Sequence, residues 1–252
     1  MITLATIAHG AEIKVLSSTS MSTVMPEVIP QFERASGNKV SVSYNSSNMI
    51  LDRLKKGEAA DIVILTGPVI DELTKQGKVV PGSRVDIAST GLGVAIRAGA
   101  PKPDISSTDA FKRTLLNAES VAYTATGASG VYFAGLIERL GITELMKTKS
   151  RVISSGLVGN IVAKGEAELG VQMISEIMAV PEVDLVGPLP RELQSISLVS
   201  AGILADAKQP EAARALIKFL STSTLAPIFK AKGLEPLASG QSPAIAWGTV
   251  QK

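Results

Sequence analysis

The chain of 252 residues contains no cysteine and a single histidine, His9. Without cysteine it can form neither a disulfide framework nor a thiolate metal site, and it has no thiol nucleophile. Because His9 is the single histidine and lies close to the N-terminus, the rest of the chain cannot form a Ser-His-Asp triad, bind a metal through histidine or use a histidine base. The sequence therefore predicts a protein without a cofactor and without a metal site.

Aromatic residues and net charge are also scarce. Aromatic residues make up 4% of the chain against 45% hydrophobic residues, so the core must consist of aliphatic side chains, as in sheets covered by helices. The chain has 25 basic and 23 acidic residues and a net charge of +2. No cationic block exceeds a pair such as Lys55 and Lys56. We therefore expect no nucleic-acid partner and no anionic membrane surface as the main partner.

The N-terminal residues resemble the end of a secretory signal. Residues 2–8 form a short apolar run, followed by Gly10, Ala11 and the charged start at Glu12. No basic segment precedes the run, and a frayed N-terminal strand is the alternative. No other stretch reaches the roughly 18 apolar residues that a membrane span needs. We expect residues 1–11 to be a signal-peptide remnant and the mature protein to be periplasmic or otherwise extracytoplasmic.

The apolar patterns alternate between strand and helix. Strands are predicted at residues 12–16, 39–44, 62–65, 120–123, 151–153 and 169–173, and helices at 21–35, 49–56, 68–76, 131–140, 157–164, 210–220 and 225–232. Pro26 and Pro30 favour a first helix that is kinked or begins late.

Two longer extended stretches, at residues 87–99 and 196–204, are predicted to be crossovers. The alternation predicts an α/β fold of two lobes, each a mostly parallel sheet flanked by helices. Residues 12–90 and 196–252 would form the first lobe and residues 91–195 the second. Ligands of such sheets bind at the carboxyl ends of the strands, here in a cleft between the lobes.

Four hydroxyl-rich segments lie where a predicted strand is followed by a helix. They read SSTS at residues 17–20, NSSN at 45–48, TATGASG at 124–130 and SSG at 154–156. A helix N-terminus leaves unpaired N–H groups and a positive dipole end, so such loops can hold an anion without a charged side chain. Alternatively, each segment is an ordinary helix cap. If the four converge, they form an anion pocket.

Enzyme motifs are largely missing. GASG lacks the lysine of a nucleotide phosphate loop, and GLG at residues 91–93 lacks the third glycine of a dinucleotide fingerprint. The carboxylate pairs Glu182 with Asp184 and Glu166 with Glu168 lie beside proline or glycine, as solvated positions do. Binding chemistry is what remains.

With these motifs in place, the chain resembles the type II periplasmic solute-binding proteins, specifically the molybdate-binding proteins of ABC importers. The likeness covers roughly residues 12–240 and is strongest in IKVLSSTSM, YNSSNMILDRLKKGEAADIVIL, GASGVYFAGLIERLG and SSGLVGNIVAKGEAELGVQM. It implies ligand contacts from Ser20 and Ser47 on one lobe and from Ser129 and Ser155 on the other. Their neighbours Asn48 and Gly130 are further candidates.

One position departs from this family. Met173, preceded by Gln172, stands where the molybdate binders have tyrosine, and a thioether cannot replace a phenolic donor. Gln172 could do so only if the strand turns it toward the cleft. Both stay candidate ligand contacts, and a small organic carboxylate becomes an alternative to molybdate. Arg53 and Arg191 could pair with a carboxylate, although surface positions are the alternative for both.

The resemblance implies an extracytoplasmic solute-binding protein that captures a small anion for the membrane permease of an ABC importer, and we expect a monomer. The alternative is an enzyme of the aconitate isomerase type, since aconitate isomerases resemble molybdate-binding proteins. Such an enzyme would need a carboxylate or lysine base whose pKa burial has shifted, and none stands out in the four segments. A ligand-sensing module coupled to a receptor is a third possibility.

Overall fold

The structure, a computed structural model, describes residues 10–237. Most of the predicted signal remnant, including His9, lies outside the described residues, as does the chain from residue 238 onward. Within residues 10–237, no helix is long and apolar enough to cross a membrane.

The described chain alternates strands and helices. The strands are β1 (Glu12–Ser18), β2 (Lys39–Asn45), β3 (Ile62–Thr66), β4 (Val85–Arg97), β5 (Val121–Thr124), β6 (Ser150–Ile153), β7 (Leu169–Met173), β8 (Val183–Pro188), β9 (Ile196–Ile203) and β10 (Glu235–Pro236). The helices are α1 (Met25–Ser36), α2 (Ser47–Lys55), α3 (Gly67–Lys75), α4 (Thr108–Asn117), α5 (Ala128–Arg139), α6 (Thr143–Met146), α7 (Val158–Ala163), α8 (Ile174–Ile177), α9 (Pro210–Leu220) and α10 (Ala226–Ala231).

Most predicted elements lie where the apolar pattern indicated. α1 begins late, at Met25, so Pro26 occupies its first turn, where proline costs no hydrogen bond. Five of these elements were not predicted: α4, α6, α8, β8 and β10. Ser107 caps α4 by accepting a hydrogen bond from the Ala110 N–H at 3.2 Å, and β8 includes Asp184 of the acidic pair Glu182 and Asp184, which was assigned to a solvated segment. Asp184 of that pair accepts a hydrogen bond from the Gly99 N–H at 2.9 Å.

The strands follow the order β2-β1-β3-β9-β4-β7-β5-β6, with β8 and β10 also pairing with β4. β2, β1 and β3 are parallel to one another, as are β7, β5 and β6, whereas β4 and β9 run antiparallel to their neighbours. β4 pairs with β9 up to Gly91 and with β7 from Leu92 onward. It is one continuous strand of 13 residues, in agreement with the extended stretch predicted at residues 87–99.

Gly93 lies in β4 because the packing leaves no room for a side chain. A Cβ atom there would lie 2.8 Å from Cγ1 of Ile174. The first residue of α8 therefore packs directly on the crossover strand.

Separate aliphatic clusters cover both faces of the sheet on each side of the crossovers. On one side, α1 and α9 pack around Ile13, Phe32 and Leu216, while α2 and α3 pack over the opposite face. On the other side, Phe111 and Phe133 anchor α4 and α5, and a further cluster lies beneath α7 and α8. Each side therefore has its own hydrophobic core, in which every fully buried large aliphatic or aromatic side chain contributes about 1.5–3 kcal/mol to the stability of the fold. The predicted two-lobed α/β fold is confirmed.

Gln194 ties the two crossovers together. Its Oε1 accepts a hydrogen bond from the Leu92 N–H at 2.7 Å, and its Nε2 donates to the Leu92 carbonyl oxygen at 3.0 Å. Tyr132 of α5 donates from its hydroxyl to the Leu193 carbonyl oxygen at 3.1 Å. The crossovers are thus fixed to each other and to a helix that begins at the cleft.

Candidate functional site: a hydroxyl-lined cleft with one carboxyl group

The four hydroxyl-rich segments converge on one pocket of about 450 Å³, part of which is open to solvent. The lining residues come from strand ends and helix starts on both sides of the crossovers: Ser18, Thr19, Ser20, Ser46, Ser47, Thr66, Thr124, Gly127, Ala128, Ser129, Ser155, Gly156, Gln172, Met173, Glu176 and Ser197.

The first wall of the cleft consists of residues 18–20, Ser46, Ser47 and Thr66. β1, β2 and β3 are parallel, so their carboxyl ends meet at one edge and bring these residues together. Ser46 is an N-cap whose hydroxyl accepts a hydrogen bond from the Met49 N–H at 3.3 Å. The Ser47 hydroxyl accepts one from the Thr66 N–H at 3.0 Å and keeps its own proton to donate. Ser46 thus both caps α2 and lines the pocket, whereas Ser47 lines the pocket and holds the end of β3.

The second wall consists of Thr124, residues 127–129, residues 155–156, Gln172, Met173 and Glu176. Ser129 is buried in the first turn of α5, beside the end of β5. The buried Thr124 hydroxyl has no hydrogen-bond partner within residues 10–237, which leaves it able to bind a ligand. Gly130 packs behind this wall, where a Cβ atom would lie 1.7 Å from the Thr124 carbonyl oxygen.

Gln172 and Met173 both line the pocket because β7 ends there and the chain turns directly into α8. The Gln172 side chain is already engaged. Its Oε1 accepts a hydrogen bond from the Val158 N–H at 2.8 Å, and its Nε2 donates to the Gly156 carbonyl oxygen at 2.9 Å. Gln172 therefore positions the loop that contains the half-buried Ser155.

Two predicted site residues, Asn48 and Gly130, lie outside the pocket lining. The exposed Asn48 reaches from α2 to the other wall, where its Nδ2 donates to the Thr126 carbonyl oxygen at 2.9 Å. This hydrogen bond joins the two walls. The roles of all eight predicted residues as ligand contacts stay predictions.

The two arginines considered for a carboxylate do not line the pocket. Arg53 donates to Glu58 at 2.6 Å and to the Ser43 hydroxyl at 3.0 Å, and Arg191 is exposed beside the second crossover. Since the lining residues include no lysine either, the pocket offers neutral donors and no fixed positive charge.

Glu176 is the one ionisable side chain in the pocket lining, and sequence reasoning missed it. It is the third residue of α8, outside the four hydroxyl-rich segments. Burial raises the pKa of Glu176 to about 7, while hydrogen bonds with the Met173 backbone and the Gln172 side chain lower it in part. Its position three residues after the end of a strand is the spacing of a capping-box carboxylate, and this was the signal available in the sequence.

Comparison with known proteins agrees with this geometry. The family model for bacterial extracellular solute-binding proteins matches residues 13–235. An aconitate isomerase from Pseudomonas sp. is 40% identical over 229 residues, which cover 88% of this chain and 87% of the relative. The molybdate-binding protein ModA of Azotobacter vinelandii is 26% identical over 239 residues, with coverage of 91% and 92%.

A solved structure shares the fold. The periplasmic molybdate-binding protein of Azotobacter vinelandii superposes with a TM-score of 0.75 at 20% sequence identity, covering 88% of this chain and 98% of that one. At this identity the likeness shows the fold alone, and the family model covers nearly the whole described chain. The chain therefore belongs to the bacterial extracellular solute-binding protein family.

Proposed function

We propose that this protein captures a small organic carboxylate anion between the two walls of the cleft, outside the cytoplasm. The observation that supports this most directly is the convergence of hydroxyl groups from four strand ends on one pocket. The hydroxyl groups of Ser20, Ser47 and Ser129 can each donate a hydrogen bond. A hydrogen bond to a charged group contributes about 1.5–3 kcal/mol, so neutral donors suffice to hold an anion.

Met173 favours a carboxylate over molybdate, because it supplies no donor at the position where the molybdate binders have tyrosine. Glu176 can hold a proton at neutral pH, since burial raises its pKa to about 7. In that form it can donate a charge-assisted hydrogen bond to a carboxylate of the ligand.

We further propose that residues 12–90 with 196–252, and residues 91–195, move as two lobes about the crossovers. A ligand that contacts both walls better in the closed form shifts the population toward closure. The loaded protein would then deliver its anion to the permease of an ABC importer, as the resemblance to molybdate-binding proteins implies.

An aconitate isomerase activity is the second candidate. Glu176 supports it, because a carboxyl group in the cleft is the base that such a reaction requires. The 40% identity to an aconitate isomerase, against 26% to a molybdate-binding protein, points the same way.

Ligand screening tests the capture function. We expect citrate, cis-aconitate or trans-aconitate to raise the melting temperature and to titrate as a single site by calorimetry. A ligand at 100 times its Kd stabilises the folded state by about 2.7 kcal/mol. Molybdate, tungstate, sulfate and phosphate serve as comparisons. Stabilisation by molybdate or tungstate, with none by any of the carboxylates, would overturn the carboxylate assignment.

Two serine variants then test the first wall. Ser20→Ala and Ser47→Ala should each weaken carboxylate binding by about 1–3 kcal/mol, measured by calorimetry. Ser20→Ala should leave the melting temperature unchanged. Ser47→Ala should lower it, because the Thr66 N–H loses its acceptor.

Ser41→Ala, at an exposed position on β2, is the matched control and should change neither quantity. If both cleft variants bind as tightly as the control, the two serines have only structural roles.

A further inference from the structure

The capture of an anion does not require a group that gains and loses a proton, yet Glu176 lies in the cleft wall. Helix capping explains it only in part. Glu176 occupies the third position of α8, where the carboxylate of a capping box lies, and the Met173 backbone lowers its pKa in part. A capping carboxylate is most effective as an anion, however, whereas burial here favours the neutral acid and raises the pKa to about 7. A carboxyl group whose pKa lies near 7 can accept and release a proton at neutral pH.

Other charged side chains lie away from the pocket. The elements packed against α8 are β4, β7, β8, α7 and the turn Thr19–Met21. Their ionisable residues are Asp86, Arg97 and Asp184, and none of these lines the pocket. Asp86 is paired with Arg84, and Asp184 accepts a hydrogen bond from the Gly99 N–H. Glu176 is thus the acid or base that a ligand in this pocket would meet.

We propose that Glu176 is the catalytic acid–base residue of an isomerase activity on an unsaturated polycarboxylate held in this cleft. The proposal rests on the carboxylate-binding function proposed above. The ligand would be a chain in which a methylene group adjoins a double bond that carries carboxylates. Ionised Glu176 takes a proton from the methylene carbon, and protonated Glu176 returns it to the far carbon of the same three-carbon unit.

The step balances without a further reactant. A C–H bond breaks and an O–H bond forms on Glu176, while the electron pair delocalises over the double bond and its carboxylates. When the proton returns to the far carbon, the double bond has moved by one position and can close in the cis or the trans geometry. No oxidant or reductant is consumed.

Hydroxyl groups on both walls suit this role. Ser20 and Ser47 on the first wall can hold one carboxylate of the ligand, and the unpartnered Thr124 hydroxyl on the second wall can donate to another. Donors fixed in advance stabilise the negative charge that develops when the proton leaves. Gln172 lines the same pocket, lowers the pKa of Glu176 in part and holds the loop at Gly156, so we assign it as a positioning residue for the carboxyl group.

The test follows cis-aconitate in heavy water by proton NMR, with binding measured separately by calorimetry. We expect the wild-type protein to bind it and to form the trans isomer, with deuterium at carbon in each turnover in which the proton on Glu176 exchanges with solvent before it returns. Glu176→Gln should bind within a few-fold of wild type and lose about 100-fold to 10,000-fold in isomerisation rate. Glu166→Gln, which removes an exposed carboxyl group, is the matched control and should react as wild type does.

Glu176→Asp keeps an acid–base group one methylene shorter and guards against a Glu176→Gln variant that does not fold. It should bind cis-aconitate, react at least about 10-fold more slowly and show a displaced pH profile. The wild-type rate should rise as the pH passes through about 7, because the base must be ionised. If Glu176 had only a structural role, Glu176→Asp would show the same dependence of rate on pH as the wild type.

Each remaining outcome overturns the proposal. Binding by the wild type without isomerisation or deuterium exchange would remove the catalytic role and leave the capture function standing. A wild-type rate in either Glu176 variant would exclude Glu176 as the acid–base residue. If the wild type binds none of the tricarboxylates, the proposed capture function fails, and the catalytic proposal falls with it.

Discussion

The two walls of the cleft present the same hydroxyl groups but differ in what accompanies them. The first wall is neutral, and its serines keep the same charge at every pH at which the protein is folded. The second wall adds Met173, the engaged amide of Gln172 and the carboxyl group of Glu176. What the walls share suits the holding of an anion, and what distinguishes the second wall suits proton transfer.

The walls also differ in how they are built. Side chains organise the first wall, where Ser46 caps α2 and Ser47 bonds to Thr66. In the second wall, Gly127 begins α5 without a side-chain cap, and α5 packs directly on the end of β5. The second wall should therefore tolerate added atoms less well.

Gly130→Ala should break the second wall and have the largest effect. Its Cβ atom would lie 1.7 Å from the Thr124 carbonyl oxygen, so the start of α5 must move. We expect the free energy of unfolding to fall by about 3 kcal/mol, measured by urea denaturation.

Gly135→Ala in the same helix is the matched control. There the nearest atom, a terminal nitrogen of Arg139, is 3.7 Å away, and alanine should stabilise the helix by about 0.5–1 kcal/mol. Equal stability of the two variants would contradict the close packing of α5 on β5.

Glu176→Gln tests the electrostatic difference between the walls, because it removes the ionisable group from the second wall. Because the folded-state pKa is raised from 4.5 to about 7, the contribution of Glu176 to stability is fully present below 4.5. It is lost as the pH rises to about 7. Above pH 7 the variant should exceed wild type in free energy of unfolding by at most about 3 kcal/mol, less what solvent access to this half-buried side chain removes.

Urea denaturation of both proteins between pH 4 and pH 8, about the range that the shift spans, measures this difference. Glu166→Gln controls for the removal of a carboxyl group in general. A Glu176→Gln difference that stays constant with pH would show that burial does not disfavour the ionised form of Glu176.

Asn48→Ala should have the smallest effect, because it removes one exposed hydrogen bond between the walls. The Asn48 Nδ2 donates to the Thr126 carbonyl oxygen at 2.9 Å, and its loss should weaken carboxylate binding by about 0.5–1.5 kcal/mol. We expect the change in the dissociation rate, measured by stopped flow, with the unfolding free energy unaltered. Asn160→Ala, at an exposed position on α7, is the control, and an equal dissociation rate in both variants would separate Asn48 from closure.

Much of the site's layout could be predicted from residue patterns. Strand and helix periods located the strand ends, and hydroxyl residues at those ends predicted a shared edge. Ser20, Ser47, Ser129, Ser155, Gln172 and Met173 all line the one pocket, as proximity at that edge requires. Their binding roles are still to be measured.

Glu176 could not be found in this way. The segment QMISEI places an acidic residue at a capping position, and such residues are usually solvated. Glu176 lies in the cleft because α8 packs closely against β4 at Gly93, where a Cβ atom would clash with Ile174. That contact joins residues far apart in the chain, so no local pattern reports it.

The sequence by itself determined the alternation of strands and helices, the two lobes and the hydroxyl groups at the strand ends, because these follow from local periodicity and residue type. Tertiary structure alone decided that Ser46 caps α2 while Ser47 accepts a hydrogen bond from the Thr66 N–H, and that Gln172 holds a loop. It also decided that the pKa of Glu176 rises to about 7. Desolvation and hydrogen bonding arise from neighbours that only folding brings together.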